Sequence, residues 1–192
     1  MRAKVYLLSI LLLTTLPTSV YAFGSFGVRV GTGLSFVELE NDLPSGVDEP
    51  EVSPFALGVS YQINLPMVEI EANALWWRNA STVGSAEIQS SYIALPVIAR
   101  ASIPLVPALL SLNVGGGLEP RFHLTTSSDD VDVDDSDIKS MVMYLPISIG
   151  GTINLQLVSL GLDIRYERQL TDHSELGSDR IHQLMFFGGA NF

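Results

Sequence analysis

In the stretch GLDIRYER, residues 161–168, the chemistry reverses at every step. Leu162, Ile164 and Tyr166 are apolar or aromatic, whereas Asp163, Arg165 and Glu167 are charged. A period of two is the signature of a β-strand with unlike faces. The pattern recurs along the chain. Phe55, Leu57, Val59, Tyr61 and Ile63 alternate with Ala56, Gly58, Ser60, Gln62 and Asn64, and Val68, Ile70, Ala72, Ala74 and Trp76 with Glu69, Glu71 and Asn73. Leu110, Leu112, Val114, Leu118 and Phe122 take the parity opposite to Ser111, Asn113, Glu119, Arg121 and His123. Leu184, Phe186, Gly188, Ala190 and Phe192 do the same against Gln183, Gly189 and Asn191. An apolar face of about five residues implies a strand of about nine or ten, the length that crosses a bilayer when tilted by about 45°. No 3.6-residue stripe is sustained, so helices should be scarce.

Two readings of such strands compete: apolar faces packed inside a soluble barrel, or apolar faces turned out to lipid. The chain's beginning bears on the choice. Residues 1–22 start with Arg2 and Lys4, continue through an apolar run from Val5 to Leu13, and end at Val20-Tyr21-Ala22. That is the pattern of a secretory signal peptide, too short in its apolar run for a membrane helix. The domain expectation is therefore a signal peptide over 1–22 and a barrel over 23–192. Without Arg2 and Lys4, eight basic residues face 21 acidic ones, a net charge of −13. This balance excludes nucleic-acid binding through phosphate neutralisation. Cysteine is absent although export would allow disulfides, so another device must stabilise the chain. Hydrophobic residues make up 47% of the sequence, yet no spanning helix is available after the signal.

Eight segments read as strands: Gly24–Val37, Pro54–Asn64, Met67–Trp77, Ser90–Ser102, Leu109–Leu124, Met141–Ile153, Gln156–Arg168 and Ile181–Phe192. The links after the second, fourth and sixth are short, and those after the first, third, fifth and seventh are read as long and polar. Short and long links in strict alternation put all long loops at one end of an antiparallel sheet, as in transmembrane β-barrels. Charge follows the same division. The first loop holds Glu38, Glu40, Asp42, Asp48, Glu49 and Glu51, and the third holds six aspartates from Asp129 to Asp137. Strand interiors hold Arg29, Arg100, Arg121 and Arg165 against Glu69, Glu71, Glu119, Asp163 and Glu167, each on its polar face. A nearly balanced set suits a narrow lumen in which charges must pair. Arg165 is expected to pair with Glu69, Glu71 or Glu119. The fold class expected is all-β: an eight-stranded antiparallel transmembrane β-barrel with short periplasmic turns and long extracellular loops. Closure leaves no edge unpaired, which supplies the missing stabilisation. Phe36, Trp76, Phe122 and Tyr166 should form an outer aromatic girdle and Phe192 an inner one.

Three fragments carry a resemblance. MFFGGANF (Met185–Phe192) ends in phenylalanine after alternating apolar residues, and looks like the C-terminal signal by which outer-membrane barrels are recognised for insertion. YIALP (Tyr92–Pro96) and YLPISIG (Tyr144–Gly150) resemble the tyrosine–proline strands of the outer-membrane β-barrel domain family, which includes small OmpA-like and porin-like barrels. The resemblance covers the whole chain after residue 22 and implies residence in the cell outer membrane. It also implies contact with the barrel-assembly machinery through the strand ending at Phe192. Physically, Pro96 and Pro146 each remove a ladder donor, so a bulge or bend is expected near both.

Candidate chemistry is sparse. Some eight-stranded outer-membrane barrels resemble lipid A acylases and deacylases, so the histidines invite an enzymatic reading. His173 and Ser174 lie beside Asp172 and Glu175, while His123 and His182 sit at strand ends near the outer rim. A nucleophilic site needs a serine beside a histidine and an acid to orient it, and no nucleophile motif surrounds any serine. Asp130, Asp132 and Asp134 resemble the opening of a calcium loop, but Asp135 replaces its required glycine and Met141 its bidentate glutamate. A solvated, self-repelling loop accounts for the run. GVRVGTG and NVGGGLE precede no helix and so lack the phosphate-binding mechanism of nucleotide motifs. Eight strands enclose an interior just wide enough to be filled by side chains, and the four arginines and five acids together with Tyr92, Tyr144 and Phe187 should plug it. The expectation is a monomeric structural or surface-interaction protein, not an enzyme, with no catalytic, cofactor or metal residues. Its partners would be outer-membrane lipids and an extracellular ligand at the acidic loops. A lipid A-modifying enzyme and a narrow channel are the alternatives.

Overall fold

The computed structural model describes residues 24–38, 51–65, 68–83, 86–128, 140–155, 157–171 and 180–192. The segment 1–22 read as a signal peptide, the aspartate run 129–137, and His173 with Ser174 lie outside the described residues. Among those described, every regular element is a strand: β1 (Ser25–Glu38), β2 (Glu51–Leu65), β3 (Val68–Val83), β4 (Ala86–Ala94), β5 (Val97–Val106), β6 (Leu110–Ser128), β7 (Met141–Leu155), β8 (Val158–Gln169) and β9 (Arg180–Asn191).

β4 and β5 are two halves of one membrane-length strand. β4 pairs with β3 and β6 at the end of the long links, and β5 pairs with the same two strands at the end of the short turns. With β1 bonded to β9, through partners such as Val30↔Gly188, the sheet closes into an eight-stranded antiparallel barrel. The sense of the strands is settled by exposure. Leu162 is 73% exposed on the outside, whereas Glu119 and Glu167 are fully buried inside. Exposed Val28, Val30, Leu57, Val59, Ile147, Ile149, Ile164 and Phe186 continue the apolar exterior around the wall. An apolar patch on this scale would aggregate in water and is at home in a bilayer. Aromatics mark both rims. Phe36, Trp76, Phe122 and Tyr166 are exposed towards the loop end, and Phe192 towards the turn end, where Phe26 and Tyr61 also pack at 4.8 Å.

Three expectations need correction. The link after the third strand is not a long polar loop: β3 runs to Val83 and β4 resumes at Ala86, with Val83↔Ala86 through Arg78↔Ser91 paired as a hairpin. Backbone pairing there overrides the weaker apolar alternation. Pro96 interrupts the ladder between β4 and β5 but does not shift it; Leu75↔Ala94 and Ala72↔Val97 keep one register. The backbone bridges the break, with Asn73 donating to the Pro96 carbonyl and Leu95 to the Pro120 carbonyl, both at 2.9 Å. Pro146 produces no bulge, since β7 pairs β8 without a register shift through Pro146↔Glu167. The register shifts fall elsewhere. Leu124 is the extra residue on β6 opposite Ser91/Tyr92, and Leu105 the extra residue on β5 between Pro104 and Val106.

Candidate functional site

The inward faces bring the nine interior charges into two layers. The layer towards the loop end is built on Arg121 of β6. Its Nε donates to Glu119 Oε1 at 2.5 Å, its Nη1 to Gln183 Oε1 at 2.6 Å, and its Nη2 to Glu167 Oε2. Its guanidinium carbon lies 3.6 Å from the Trp77 ring centroid and 3.9 Å from that of Tyr144. Arg165 completes the layer, 4.2 Å from the Phe187 centroid, with Nη1 at 3.9 Å from Glu119 Oε2 and 3.8 Å from Glu167 Oε1. Two arginines thus face two glutamates, and cation–π contacts take up part of the burden that water would otherwise carry. Trp77 donates from Nε1 to Asn79 Oδ1 at 3.0 Å within β3, and Gln183 Nε2 on β9 reaches Ser35 Oγ on β1 at 2.8 Å.

The layer towards the turn end is built on Glu71, which is fully buried. Arg29 Nη2 donates to it at 2.5 Å, Arg100 Nη1 at 2.6 Å and Asn73 Nδ2 at 2.9 Å. Arg100 also reaches Glu69 at 3.1 Å and Asp163 at 2.8 Å. Two arginines here face three carboxylates. Beyond this layer the bore opens into a polar recess of about 270 Å³, with Gln62, Asn64, Glu69, Thr152, Asn154 and Asn191 among its lining residues. Close packing leaves no room for larger side chains at some wall positions; a Cβ at Gly189 would strike the Arg29 side chain.

Sequence parity placed all nine charges inside, but not in layers. Of the partners expected for Arg165, Glu119 is present, while Glu69 and Glu71 belong to the other layer. Tyr92, Tyr144 and Phe187 are buried in the bore as expected, and Trp77 against Arg121 is a further finding; Trp77 shares the parity of Glu69 and Glu71, which was the available signal.

The histidines do not assemble a nucleophilic triad among the described residues. His123 Nε2 shares a hydrogen bond with Thr126 Oγ1 at 2.8 Å, and His182 Nδ1 one with the Tyr166 hydroxyl at 2.5 Å. No described carboxylate hydrogen-bonds to His123. Among the described residues, no group of three or more His, Cys, Asp or Glu side chains is placed to hold a metal ion.

With a closed ring, an apolar exterior and a paired ionic interior, the architecture can be matched to known ones. The chain is similar to Neisserial surface protein A (NspA), at 14% identity and a TM-score of 0.58, over 88% of this chain and 99% of that one. The chain has the fold of a small eight-stranded outer-membrane barrel. The barrel is also similar to Ail, the attachment invasion locus protein of Yersinia pestis, at 16% identity and a TM-score of 0.45, over 88% of this chain and 99% of that one. The outer membrane enzyme PagL is similar at 10% identity and a TM-score of 0.46, over 85% of this chain and 97% of that one. No family model and no curated protein matches the sequence.

Proposed function

We propose that this barrel resides in a bacterial outer membrane, turn end towards the periplasm, as a structural and surface-interaction protein that neither conducts solutes nor catalyses a reaction. The observation that carries this reading is the closed bore: Arg121, clasped between Trp77 and Tyr144 and bonded to Glu119, Glu167 and Gln183, fills the lumen at the loop end. A plug of this kind has its value in the wall it stabilises, and leaves the loop end as the working surface. Interaction with an extracellular ligand is assigned to the acidic loops, and insertion to recognition of the last strand by the assembly machinery. Phe192, half-exposed on the outer wall with its amide bonded to the Phe26 carbonyl at 2.7 Å, supports the latter.

Planar-bilayer recording of the purified barrel tests the closed bore, with no resolved conductance steps expected; steady single-channel openings would replace this reading with the channel. Incubation with labelled lipid A tests the enzymatic alternative. Wild type and the His173→Ala and His182→Ala variants should all leave the lipid unchanged.

A further inference from the structure

Among the described residues the outer wall carries almost no charge, and what it carries is placed unevenly. Among the described side chains facing outwards, only Arg78 on β3 and Arg168 on β8 are charged. Both lie at the loop end. The corresponding turn-end wall presents Leu65, Val68, Val106, Leu155, Leu157 and Phe192 instead. Neither arginine has a carboxylate partner among the described residues, although each of the four interior arginines has at least one.

Their surroundings match. Arg168 stands directly across from His182 and two residues beyond Tyr166, whose hydroxyl is hydrogen-bonded to the His182 ring. Arg78 stands across from Phe55 and two residues beyond Trp76, which meet edge-on at 6.2 Å. In each case the guanidinium sits one step outside a girdle aromatic, the height at which long basic side chains extend from hydrocarbon into the headgroup region. The two strands lie on opposite sides of the ring, separated by β2, β1 and β9 one way and by β4, β6 and β7 the other. They therefore cannot share one ligand.

We propose that Arg78 and Arg168 are two separate binding sites for phosphate-bearing lipid headgroups in the leaflet at the loop end. The planar guanidinium offers a fork of donors that matches phosphate oxygens, and it does so where aromatic side chains flank the acyl boundary. Among the described outward-facing side chains the charge is positive and confined to one rim, which points to an anionic occupant and one leaflet. This inference rests on the barrel lying in a bilayer.

The test uses the folded, full-length protein in detergent micelles, titrated with bis-phosphorylated lipid A, with its dephosphorylated counterpart, and with inorganic phosphate. Native mass spectrometry counts the bound molecules. Wild type should take up two phosphorylated lipids saturably, and the dephosphorylated lipid and free phosphate much more weakly. Arg168→Gln and Arg78→Gln should each weaken one of the two binding steps about tenfold, and the double variant both. Arg168→Lys should retain part of the affinity. A heat-modifiable shift on gel electrophoresis confirms that each variant is folded. Equal binding of the two lipids, displacement by free phosphate, or undiminished binding by the folded double variant would overturn the assignment. A wild-type protein that takes up neither lipid and fails to insert into vesicles would instead overturn the membrane placement on which it rests.

Discussion

The two ionic layers solve one problem by different means. Both bury guanidinium groups against carboxylates inside a bore too narrow for bulk water. The loop-end layer is neutral, with Arg121 and Arg165 against Glu119 and Glu167, and it is sealed by aromatic rings. The turn-end layer carries one more carboxylate than arginine and adjoins a recess of amides and hydroxyls. An excess charge is expensive where desolvation is complete and tolerable where polar groups or water reach it. Enclosure and charge balance therefore go together along this bore.

The largest effect should come from removing the centre of the sealed layer. Arg121→Ala leaves Glu119 and Glu167 buried without their hydrogen-bonded partner, and should cost roughly 3–5 kcal/mol of unfolding free energy. Denaturant titration in lipid vesicles measures it, and a loss below that of any turn-end variant would break the comparison. The next effect concerns the wall around both layers. Leu162→Arg puts a charge on the lipid face and should cost roughly 2–4 kcal/mol, whereas Asp163→Asn should cost less. A spin label at position 162 should be readily reached by lipid-dissolved oxygen and one at 163 poorly; equal accessibility would mean that the wall is not in lipid.

Arg165 should matter less than Arg121, because its contacts to both glutamates are 3.8–3.9 Å long and its Nη1 makes no hydrogen bond. Arg165→Ala is expected to cost about 1–3 kcal/mol in the same titration. Equal losses for the two arginines would show that charge balance, not hydrogen bonding, holds the layer together. The smallest effect is expected at Glu69, which lines the recess. Glu69→Gln brings the turn-end layer to neutrality and should shift stability by about 1 kcal/mol or less. A loss as large as that of Arg121→Ala would mean that this layer is as dry as the other.

The strands, their outward faces and their closure were legible because parity is a local property of the sequence. Glu69, Glu71, Asn73 and Trp77 share one parity, and that alone sends them inside. The grouping into layers was not legible, because it depends on register between distant strands. Arg29 meets Glu71 across 42 residues and Arg121 meets Gln183 across 62. The β3–β4 hairpin was missed for a different reason. Residues 78–90 are rich in Ser, Thr, Asn and Ala, and alternate too weakly to announce strands, yet backbone pairing needs no apolar face once neighbouring strands are in place. Arg78 and Arg168 were overlooked as a pair because they flank the apolar segments, where a charge reads as a strand end.

The ring is joined where β1 meets β9, the first and last of the described strands, with Gly27↔Asn191 and Glu38↔Arg180 at the limits of the seam. Every other pairing in the ring links strands that lie near one another in sequence, whereas this one must bring together segments more than 140 residues apart. Its formation carries the largest loop-closure entropy in the molecule and is expected to come last. Until then both flanking strands present bare hydrogen-bonding edges, open to pairing with another chain. The time between translocation and closure is thus the period in which this chain is most exposed to aggregation, and shortening it is what an assembly catalyst would have to do.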